Sequence, residues 1–138
     1  MTARGRGTST RPTRAAGARR RPAATTRRVR AVVVLSTAGS RDEAERIATA
    51  LVEERLAACV NVVAPITSVY RWRGAVERAE EVLLFVKTGR QNAARVAARI
   101  RALHSYELPE AIVLPIDGGS SEYLAWVLGE SAPPRRAR

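Results

Sequence analysis

Residues 59–88 read CVNVVAPITSVYRWRGAVERAEEVLLFVKT, and this segment predicts the central feature of the fold. Apolar and polar residues alternate imperfectly from Cys59 to Trp72, which predicts a long strand. Pro65 cannot donate a backbone hydrogen bond, so it indicates a bulge or an edge position within that strand. Gly74 predicts a turn, and the apolar run from Glu81 to Thr88 predicts the returning strand. Together these signals predict a long β-hairpin.

The segments on either side of the hairpin predict alternating strands and helices. The β-branched run from Val29 to Thr37 predicts a buried strand. Ser40 and Glu43 form a capping box, which predicts the start of an amphipathic helix. The remaining predicted elements are an amphipathic helix over 91–104, a strand over 110–116 and a short helix over 120–128.

This order of elements, β-α-β-β-α-β followed by an extra C-terminal helix, is typical of the ferredoxin-like fold. That fold is an α+β sandwich, in which two helices cover a four-stranded antiparallel sheet. The predicted hairpin runs out to Tyr70 and Trp72, farther than two helices can cover. Because uncovered strands pair with other chains, we expect partner subunits to cover it.

The positive charge of the chain is concentrated at its two ends. The 138 residues carry 24 Lys and Arg against 13 Asp and Glu, a net charge of +11. Ten arginines lie within 1–30 and three within 133–138, so 31–132 has 11 basic and 13 acidic side chains, a net charge of −2. A nucleic-acid binder needs basic residues on its folded surface to neutralise phosphates. The distribution therefore predicts no specific nucleic-acid partner.

Composition divides the chain into three segments. Residues 1–28 contain almost nothing to bury and are predicted to be a disordered arginine-rich tail, 29–130 the folded domain, and 131–138 a basic C-terminal tail. The first segment is typical of a transit peptide, a disordered bacterial tail or residues upstream of a misassigned start codon. With one cysteine and no membrane-spanning run, we predict a cytoplasmic protein, or an organellar one if that segment is a transit peptide.

The segment 104–110, HSYELPE, carries most of the reactive side chains. It places an imidazole, a phenol and two carboxylates within seven residues, and imidazole with carboxylate suits zinc or copper. Alternatively, His104 caps the end of its helix, where its proton and the helix dipole agree. No phosphate-binding or nucleophile motif occurs, and Cys59 is interpreted as a small buried hydrophobe. The sequence therefore predicts no enzyme.

Three other side chains are candidates for a cleft or an interface. Tyr70 and Trp72 lie on one face of their predicted strand and are interpreted as interface or core anchors rather than as a base-stacking patch. Lys87, at the end of the next strand, either serves an anionic ligand or pairs with an acid.

Six motifs in the same order make the chain similar to a known family. They are VVVLST at 32–37, EERLAACVN at 53–61, TSVYRW at 67–72, EEVLLFVKT at 80–88, HSYELPE at 104–110 and YLAW at 123–126. Over about residues 30–128 the chain resembles the CutA divalent-cation-tolerance family. The resemblance implies a ferredoxin-like homotrimer whose long hairpins join sheets between subunits. It also implies association with copper and other divalent cations, and no established catalytic activity.

The resemblance further implies where a metal binds. The family's cysteine and adjacent histidine pair fall on Ser36, Leu103 and His104 of this sequence, so one ligand of three is kept. Serine is a poor ligand for copper and leucine is none, which implies weak binding. Glu107 and Cys59 match the family pattern and are candidate substitute ligands beside His104.

The expected function is therefore that of a non-enzymatic homotrimer in the response to metal ions, with Cu(II) or another divalent cation bound weakly. The alternative is a trimeric small-molecule sensor or signalling scaffold, whose clefts between subunits hold an anionic metabolite near Lys87. The side chains assigned to such a cleft or to the subunit interface are Tyr70, Trp72, Lys87 and Tyr106.

Overall fold

The computed structural model describes residues 30–134. The tail predicted at 1–28 and the last four residues of the tail predicted at 131–138 lie outside the described residues. The elements in chain order are β1 (Ala31–Ala38), α1 (Arg41–Glu53), β2 (Cys59–Trp72), β3 (Ala75–Gly89), a 3-10 turn (Arg90–Asn92), α2 (Ala93–Leu103), β4 (Ile112–Pro115) and α3 (Ser121–Glu130). This is the predicted order of strands and helices, with the extra C-terminal helix.

The strands form one antiparallel sheet in the order β2-β3-β1-β4. β1 lies inside the sheet between β3 and β4, as the ferredoxin-like arrangement requires. The two edges are therefore β2, at the outside of the long hairpin, and the four-residue β4. The predicted α+β fold class is confirmed.

The hydrophobic core lies between one face of the sheet and the helices α1 and α2. Alternate side chains of β1 and β3 point into it, and each helix contributes one apolar stripe. Its fully buried members include Val32, Val34, Ala44, Ile47, Leu51, Leu84, Val86, Val96 and Ile100. The other face carries Val33, Leu35, Leu83 and Phe85, which are half-buried. The sheet is thus fully covered on one face only.

The hairpin of β2 and β3 runs the length of both strands. Cys59 pairs with Lys87 at its base, and Trp72 pairs with Ala75 at its tip. The register shifts between Val63 and Ile66, on either side of Pro65. The predicted irregularity at this proline is confirmed, because a residue without an N–H interrupts the ladder.

The tip of the hairpin is a two-residue turn. Arg73 and Gly74 both have positive φ, 49° and 83°, which matches the twist of the flanking strands. β3 begins directly afterwards at Ala75, so the prediction that the strand starts at Glu81 is wrong. Residues 75–80 are mostly exposed and half of them are charged, and pairing with β2 rather than a buried apolar face makes them a strand.

The start of α1 confirms half of the predicted capping box. The Ser40 hydroxyl accepts a hydrogen bond from the Glu43 backbone N at 3.2 Å. The Glu43 carboxylate does not return to Ser40, and bonds the backbone and side chain of Ser105 instead. A nearly buried carboxylate is better stabilised by two donors than by one, so the tertiary contact replaces the local one.

The second half of the chain departs from prediction at the element ends. α2 ends at Leu103, and His104 is already extended, with φ −85° and ψ 144°. β4 spans only Ile112–Pro115, shorter than the predicted strand over 110–116, because it pairs with just four residues of β1. The loop from His104 to Ala111 is therefore long enough to carry the site described below.

Three hydrogen bonds fix the end of α3 near the base of the hairpin. The Gly89 backbone N donates to Ser131 Oγ at 3.1 Å, and Arg55 Nε donates to the Ala132 carbonyl at 2.7 Å. Asn92 donates to the Ser131 carbonyl. The described chain therefore ends at the opposite end of β3 from the hairpin tip.

Candidate cation site

A cluster of polar groups lies behind the loop that joins α2 to β4, and we call it the buried cluster after the buried side chains of Glu43 and His104 at its centre. Thr37, which is half-buried, and Ser105, which is exposed, complete it. The His104 side chain is fully buried. Its Nε2 is 2.6 Å from the Thr37 carbonyl oxygen, and its Nδ1 is 3.0 Å from the Tyr106 backbone N. A carbonyl only accepts and an amide N–H only donates, so Nε2 carries the proton and Nδ1 accepts. Both ring nitrogens are therefore engaged by backbone.

Glu43 supplies the negative charge of the buried cluster. Its carboxylate accepts from the Ser105 backbone N at 3.0 Å and from the Ser105 hydroxyl at 2.8 Å. Burial acts to raise the pKa of Glu43, but the Ser105 bonds and then the nearby His104 and Arg46 lower it below its usual value. Glu43 is therefore ionised at neutral pH and holds the start of the loop.

Tyr106 separates the buried cluster from the surface. Its ring centroid is 4.6 Å from that of His104, and its hydroxyl donates to Glu81 Oε2 at 2.9 Å. Burial and the bond to Glu81 raise the pKa of Tyr106 to about 12. Gly39 makes room for this side chain, because a Cβ there would lie 3.2 Å from the hydroxyl oxygen. Tyr106 is thus a fixed hydrogen-bond donor at neutral pH.

An open cavity of about 470 Å³, which we call the acidic cavity, lies on the outer side of Tyr106. It is formed by the end of β1, the outer halves of β2 and β3, and the loop after α2. Its lining residues are Thr37, Ser68, Tyr70, Trp72, Glu77, Glu81, Tyr106, Glu107, Leu108 and Glu110. The cavity thus combines four carboxylates with three aromatic rings.

The carboxylates of the acidic cavity are close enough to influence each other. Glu81 is only 8% exposed. Burial, and then the charge of Glu81, raise the pKa of Glu110 above its usual value. Burial and the nearby Glu77 and Glu81 likewise raise the pKa of Tyr70. The cavity therefore carries an excess of negative charge, which favours cations over anions.

The structure brings four of the seven predicted site residues to this cavity: Tyr70, Trp72, Tyr106 and Glu107. His104 contacts Tyr106 from behind and does not line the cavity. The neighbouring His104 and Glu107 thus face different environments, one buried and one exposed.

Cys59 and Lys87 lie elsewhere, opposite each other at the base of the hairpin. Cys59 and Trp72 stand at the two ends of β2, about 40 Å apart at the usual rise of a strand. Lys87 Nζ is 3.2 Å from the Tyr123 hydroxyl and 5.5 Å from that ring's centroid. One chain therefore does not assemble Cys59 with Glu107, and Lys87 contributes nothing to the cavity.

Within residues 30–134, no group of three or more His, Cys, Asp or Glu side chains is arranged to hold a metal ion. Ser36 Oγ is fully buried and has no hydrogen-bond partner in the described part of the chain, and Leu103 packs against the core. These two positions supply no metal ligand here. The atoms of the cavity that could bind a metal are oxygens, which suit hard divalent cations.

The sequence did not identify Glu77 and Glu81 as cavity residues. It also did not predict that the Glu43 carboxylate bonds to Ser105. Glu77 and Glu81 are four residues apart, so on a strand they point to the same face. Glu77 also lies opposite Tyr70 in the β2–β3 register. This shared face becomes recognisable only when β3 begins at Ala75, because both carboxylates then lie on one strand.

The fold and the cavity together define a small ferredoxin-like α+β protein with an acidic, aromatic-walled surface cavity, whose sheet edges β2 and β4 are unpaired within residues 30–134. A family model described as CutA1 divalent ion tolerance protein matches residues 32–130. The chain belongs to this family of divalent ion tolerance proteins, and the resemblance inferred from its motifs is confirmed.

Relatives of established name support the assignment. A divalent-cation tolerance protein CutA from Thermus thermophilus is 52% identical over 95 residues, covering 69% of this chain and 92% of that protein. The chloroplastic protein CutA of Arabidopsis thaliana is 42% identical over 99 residues, covering 72% of this chain and 54% of that protein. The chain thus matches about half the length of the plant relative.

Solved structures share the fold. The divalent cation tolerance protein Cut A1 from Thermus thermophilus has a TM-score of 0.72 at 48% identity, covering 74% of this chain and 99% of that chain. The PII-like protein CutA from Nostoc sp. PCC 7120 has a TM-score of 0.68 at 40% identity, covering 73% of this chain and 97% of that chain.

Proposed function

We propose that this chain is a non-enzymatic, homotrimeric protein of the response to metal ions that binds divalent cations, Cu(II) among them, weakly. The observation that carries the proposal is the acidic cavity, where burial and the charge of Glu81 already raise the pKa of Glu110. A bound cation relieves the repulsion between such carboxylates and takes the place of a proton. The electrostatics of the cavity therefore support cation binding.

The residues that would hold the cation are the four carboxylates of the cavity, Glu77, Glu81, Glu107 and Glu110. A divalent ion would supply positive charge to a site where the chain has too little. Because no ready group of three ligands exists within residues 30–134, binding by one chain is weak. A tighter site needs ligands from another subunit, which a symmetric trimer supplies at each equivalent interface.

The free edges of the sheet support the trimer. β4 presents Ile112, Val113 and Leu114, which are 42–47% exposed, and β2 presents Val63 and Val69. Exposed apolar edge strands pair with another chain unless they are protected. A cyclic trimer in which β2 of one subunit pairs with β4 of the next covers both edges, so no strand is left open.

His104 and Cys59 remain candidate ligands, but each could bind a metal near Glu107 only if a further condition is met. Ligation by His104 requires its ring to give up Thr37 or Tyr106, since each nitrogen is engaged. Cys59 lies at the base of the hairpin, so it meets a metal near Glu107 only across a subunit boundary. We therefore propose Glu107, which is exposed at the cavity, as the first contact, where the cation would take the place of Arg73 in its ion pair.

The same cavity supports the small-molecule sensor as a second candidate function. Its volume of about 470 Å³ lies in the range of ligand sites, and Tyr70 and Trp72 provide apolar walls. Its carboxylates favour a cationic ligand rather than the anionic one predicted near Lys87. Mass spectrometry of material released from the purified full chain tests this candidate: a stoichiometric organic cation supports it.

A cytoplasmic location is part of the proposal. The free thiol of Cys59 suits a reducing compartment. None of the helices described between residues 30 and 134 has the length and hydropathy needed to span a bilayer. The Arabidopsis relative is named chloroplastic and an Archaeoglobus fulgidus structure is described as periplasmic. Imaging the full chain fused at its C-terminus to a fluorescent protein tests the assignment; signal confined to an organelle or the periplasm contradicts it.

Two measurements test the assembly and the cation contact. Light scattering should give three times the 15.0 kDa chain mass. Equilibrium dialysis against Cu(II) and Zn(II) should show binding that weakens in Glu107→Gln and persists in Glu45→Gln, a matched exposed carboxylate on α1. A mass of one chain contradicts the trimer. Equal metal uptake by both variants contradicts the cavity as the cation contact.

A further inference from the structure

We propose that the acidic cavity docks arginine side chains from residues 1–29 of this same chain. One guanidinium already lies at the edge of the cavity: the Arg73 Cζ lies 5.4 Å from the Trp72 ring centroid, and its Nη2 is 3.1 Å from Glu107 Oε2. Stacking on an aromatic ring combined with a carboxylate bond is how proteins recognise arginine. The inference concerns this ligand chemistry and does not depend on metal binding.

The rest of the cavity has room and charge for further guanidinium groups. Within residues 30–134, no lysine or arginine forms an ion pair with Glu77, Glu81 or Glu110. Tyr70 and Trp72 are two residues apart on β2 and so share one face, which gives a second ring beside the carboxylates. The Arg73 arrangement thus leaves most of the negative charge unmatched.

The chain itself carries the complementary charge. Residues 1–29 contain nine arginines and no acidic residue, while the described domain is mildly acidic. A segment joined covalently to its docking surface binds at a high effective concentration, so even weak individual contacts are occupied. Charge complementarity and connection to the same chain therefore select this segment as the occupant.

Chain length selects the arginines that reach the cavity. Thr37, in the cavity wall, is seven residues beyond Arg30, about 23 Å along an extended strand. Arg27 and Arg28 are only two or three residues before Arg30 and span at most about 10 Å. The triplet at 19–21 is nine to eleven residues before Arg30 and spans about 30 Å or more when extended. We therefore assign the docked side chains to this triplet, the first arginines met along the chain from Arg30 that reach the cavity.

The C-terminal arginines provide a charge-matched control because they approach the cavity only with the chain fully extended. Ser131 is tied to Gly89, and Gly89 and Glu81 are about 26 Å apart along β3. Arg135 and Arg136 follow Ser131 by four and five residues and span at most about 18 Å, and Arg138 spans about 25 Å only when fully extended. Neutralising either triplet removes the same charge from the chain.

Fluorescence quenching of Trp72 tests the contact in the full chain. A Trp126→Phe background leaves Trp72 as the sole tryptophan, and acrylamide reports its accessibility with a metal chelator present. At about 0.01 M salt, where the Debye length is about 30 Å, we expect Trp72 to be shielded; at about 1 M salt, with about 3 Å, we expect shielding to be lost. Replacing Arg19, Arg20 and Arg21 by glutamine should abolish shielding at low salt. The same replacement at the C-terminal triplet should preserve it.

Two results overturn the proposal. One is equal quenching in both triple variants at low salt. The other is shielding that persists in both variants and at high salt, which identifies a second copy of the chain as the cover of the cavity. Glu77→Gln should also weaken shielding, whereas Glu45→Gln should not. The chelator removes metal from the measurement, so failure here is separate from failure of the cation proposal.

Discussion

The polar groups on the two sides of Tyr106 differ in how completely they are satisfied. In the buried cluster, both nitrogens of His104 and the carboxylate of Glu43 have partners within 3.2 Å. In the acidic cavity, only one of the four carboxylates, Glu107, has a guanidinium partner within the described residues. A fully hydrogen-bonded network stabilises a fold, whereas carboxylates that lack cationic partners are stabilised when they bind a cation. The first region is therefore structural, and the second is the one we propose as the binding site.

The comparison also shows that neighbouring residues of one motif need not share a role. His104 and Glu107 are three residues apart in HSYELPE, yet one is fully buried and the other is three-quarters exposed. The helix ends before His104, whose backbone is extended, and the chain then bends over residues 105–108, so Glu107 does not share the surroundings of His104. A motif thus supplies residues to both regions.

The largest loss of stability is expected when His104, at the centre of the buried cluster, is replaced. His104→Ala removes the bonds to Thr37 and Tyr106 and leaves a gap, so it should lower the free energy of unfolding by about 2–4 kcal/mol. Urea denaturation of the full chain at one fixed concentration measures this. His104→Gln, which keeps a donor for the Thr37 carbonyl, should lose less. Wild-type stability in His104→Ala contradicts the structural role.

A smaller loss is expected from Glu43→Gln, about 1–3 kcal/mol at pH 7. The folded pKa of Glu43 is lowered from 4.5, so its ionised form contributes stability above that pH and loses it as the pH falls through the folded value. The gap between wild type and variant should therefore narrow from pH 7 to pH 3 in urea titrations. A gap that does not change with pH contradicts the assigned charge.

The hydrogen bond from Tyr106 to Glu81, which links the two regions, should contribute less to the free energy of unfolding than Glu43 does. Tyr106→Phe removes the donor to Glu81 but keeps the ring against His104, so we expect a loss of about 1 kcal/mol. Thermal unfolding at matched concentration measures it. Tyr123→Phe serves as the control, because its hydroxyl meets the exposed Lys87 and should matter less. Equal losses in the two variants argue against Tyr106 as a specific link.

The smallest expected effect is a gain in stability rather than a loss. The folded pKa of Glu110 is raised, so ionisation opposes folding once the pH exceeds the usual value of 4.5. Glu110→Gln should therefore stabilise the protein by a few tenths of a kcal/mol at pH 7. Below pH 4.5 the difference should disappear. Destabilisation at pH 7, like that of Glu43→Gln, removes the distinction between the two regions.

The sequence predicted those parts of the fold that depend on local backbone chemistry. Ser40 caps α1 because its hydroxyl lies beside the amide of Glu43 in the chain, and Pro65 interrupts β2 because it lacks an N–H. Hydrophobic periodicity then gave the order of strands and helices. These signals need no knowledge of distant residues.

The acidic cavity was only partly predictable because the β2–β3 register assembles it. Tyr70 and Trp72 were found as aromatic residues on one strand face, and Glu107 from its motif. Glu77 was missed because its segment has no apolar alternation of its own, and Glu81 was placed at a strand start instead of within the strand. Register and burial, not residue type, give these carboxylates their common site.

Calorimetric titration of Cu(II), then Zn(II), into the metal-free full chain tests most directly whether the acidic cavity rather than the buried cluster binds cations. Wild type should be compared with His104→Gln and with a Glu81→Gln, Glu107→Gln double variant. We predict that His104→Gln binds as wild type does and that the double variant loses saturable binding. Binding lost in His104→Gln and kept in the double variant would assign the cation to the buried cluster and contradict this division of roles.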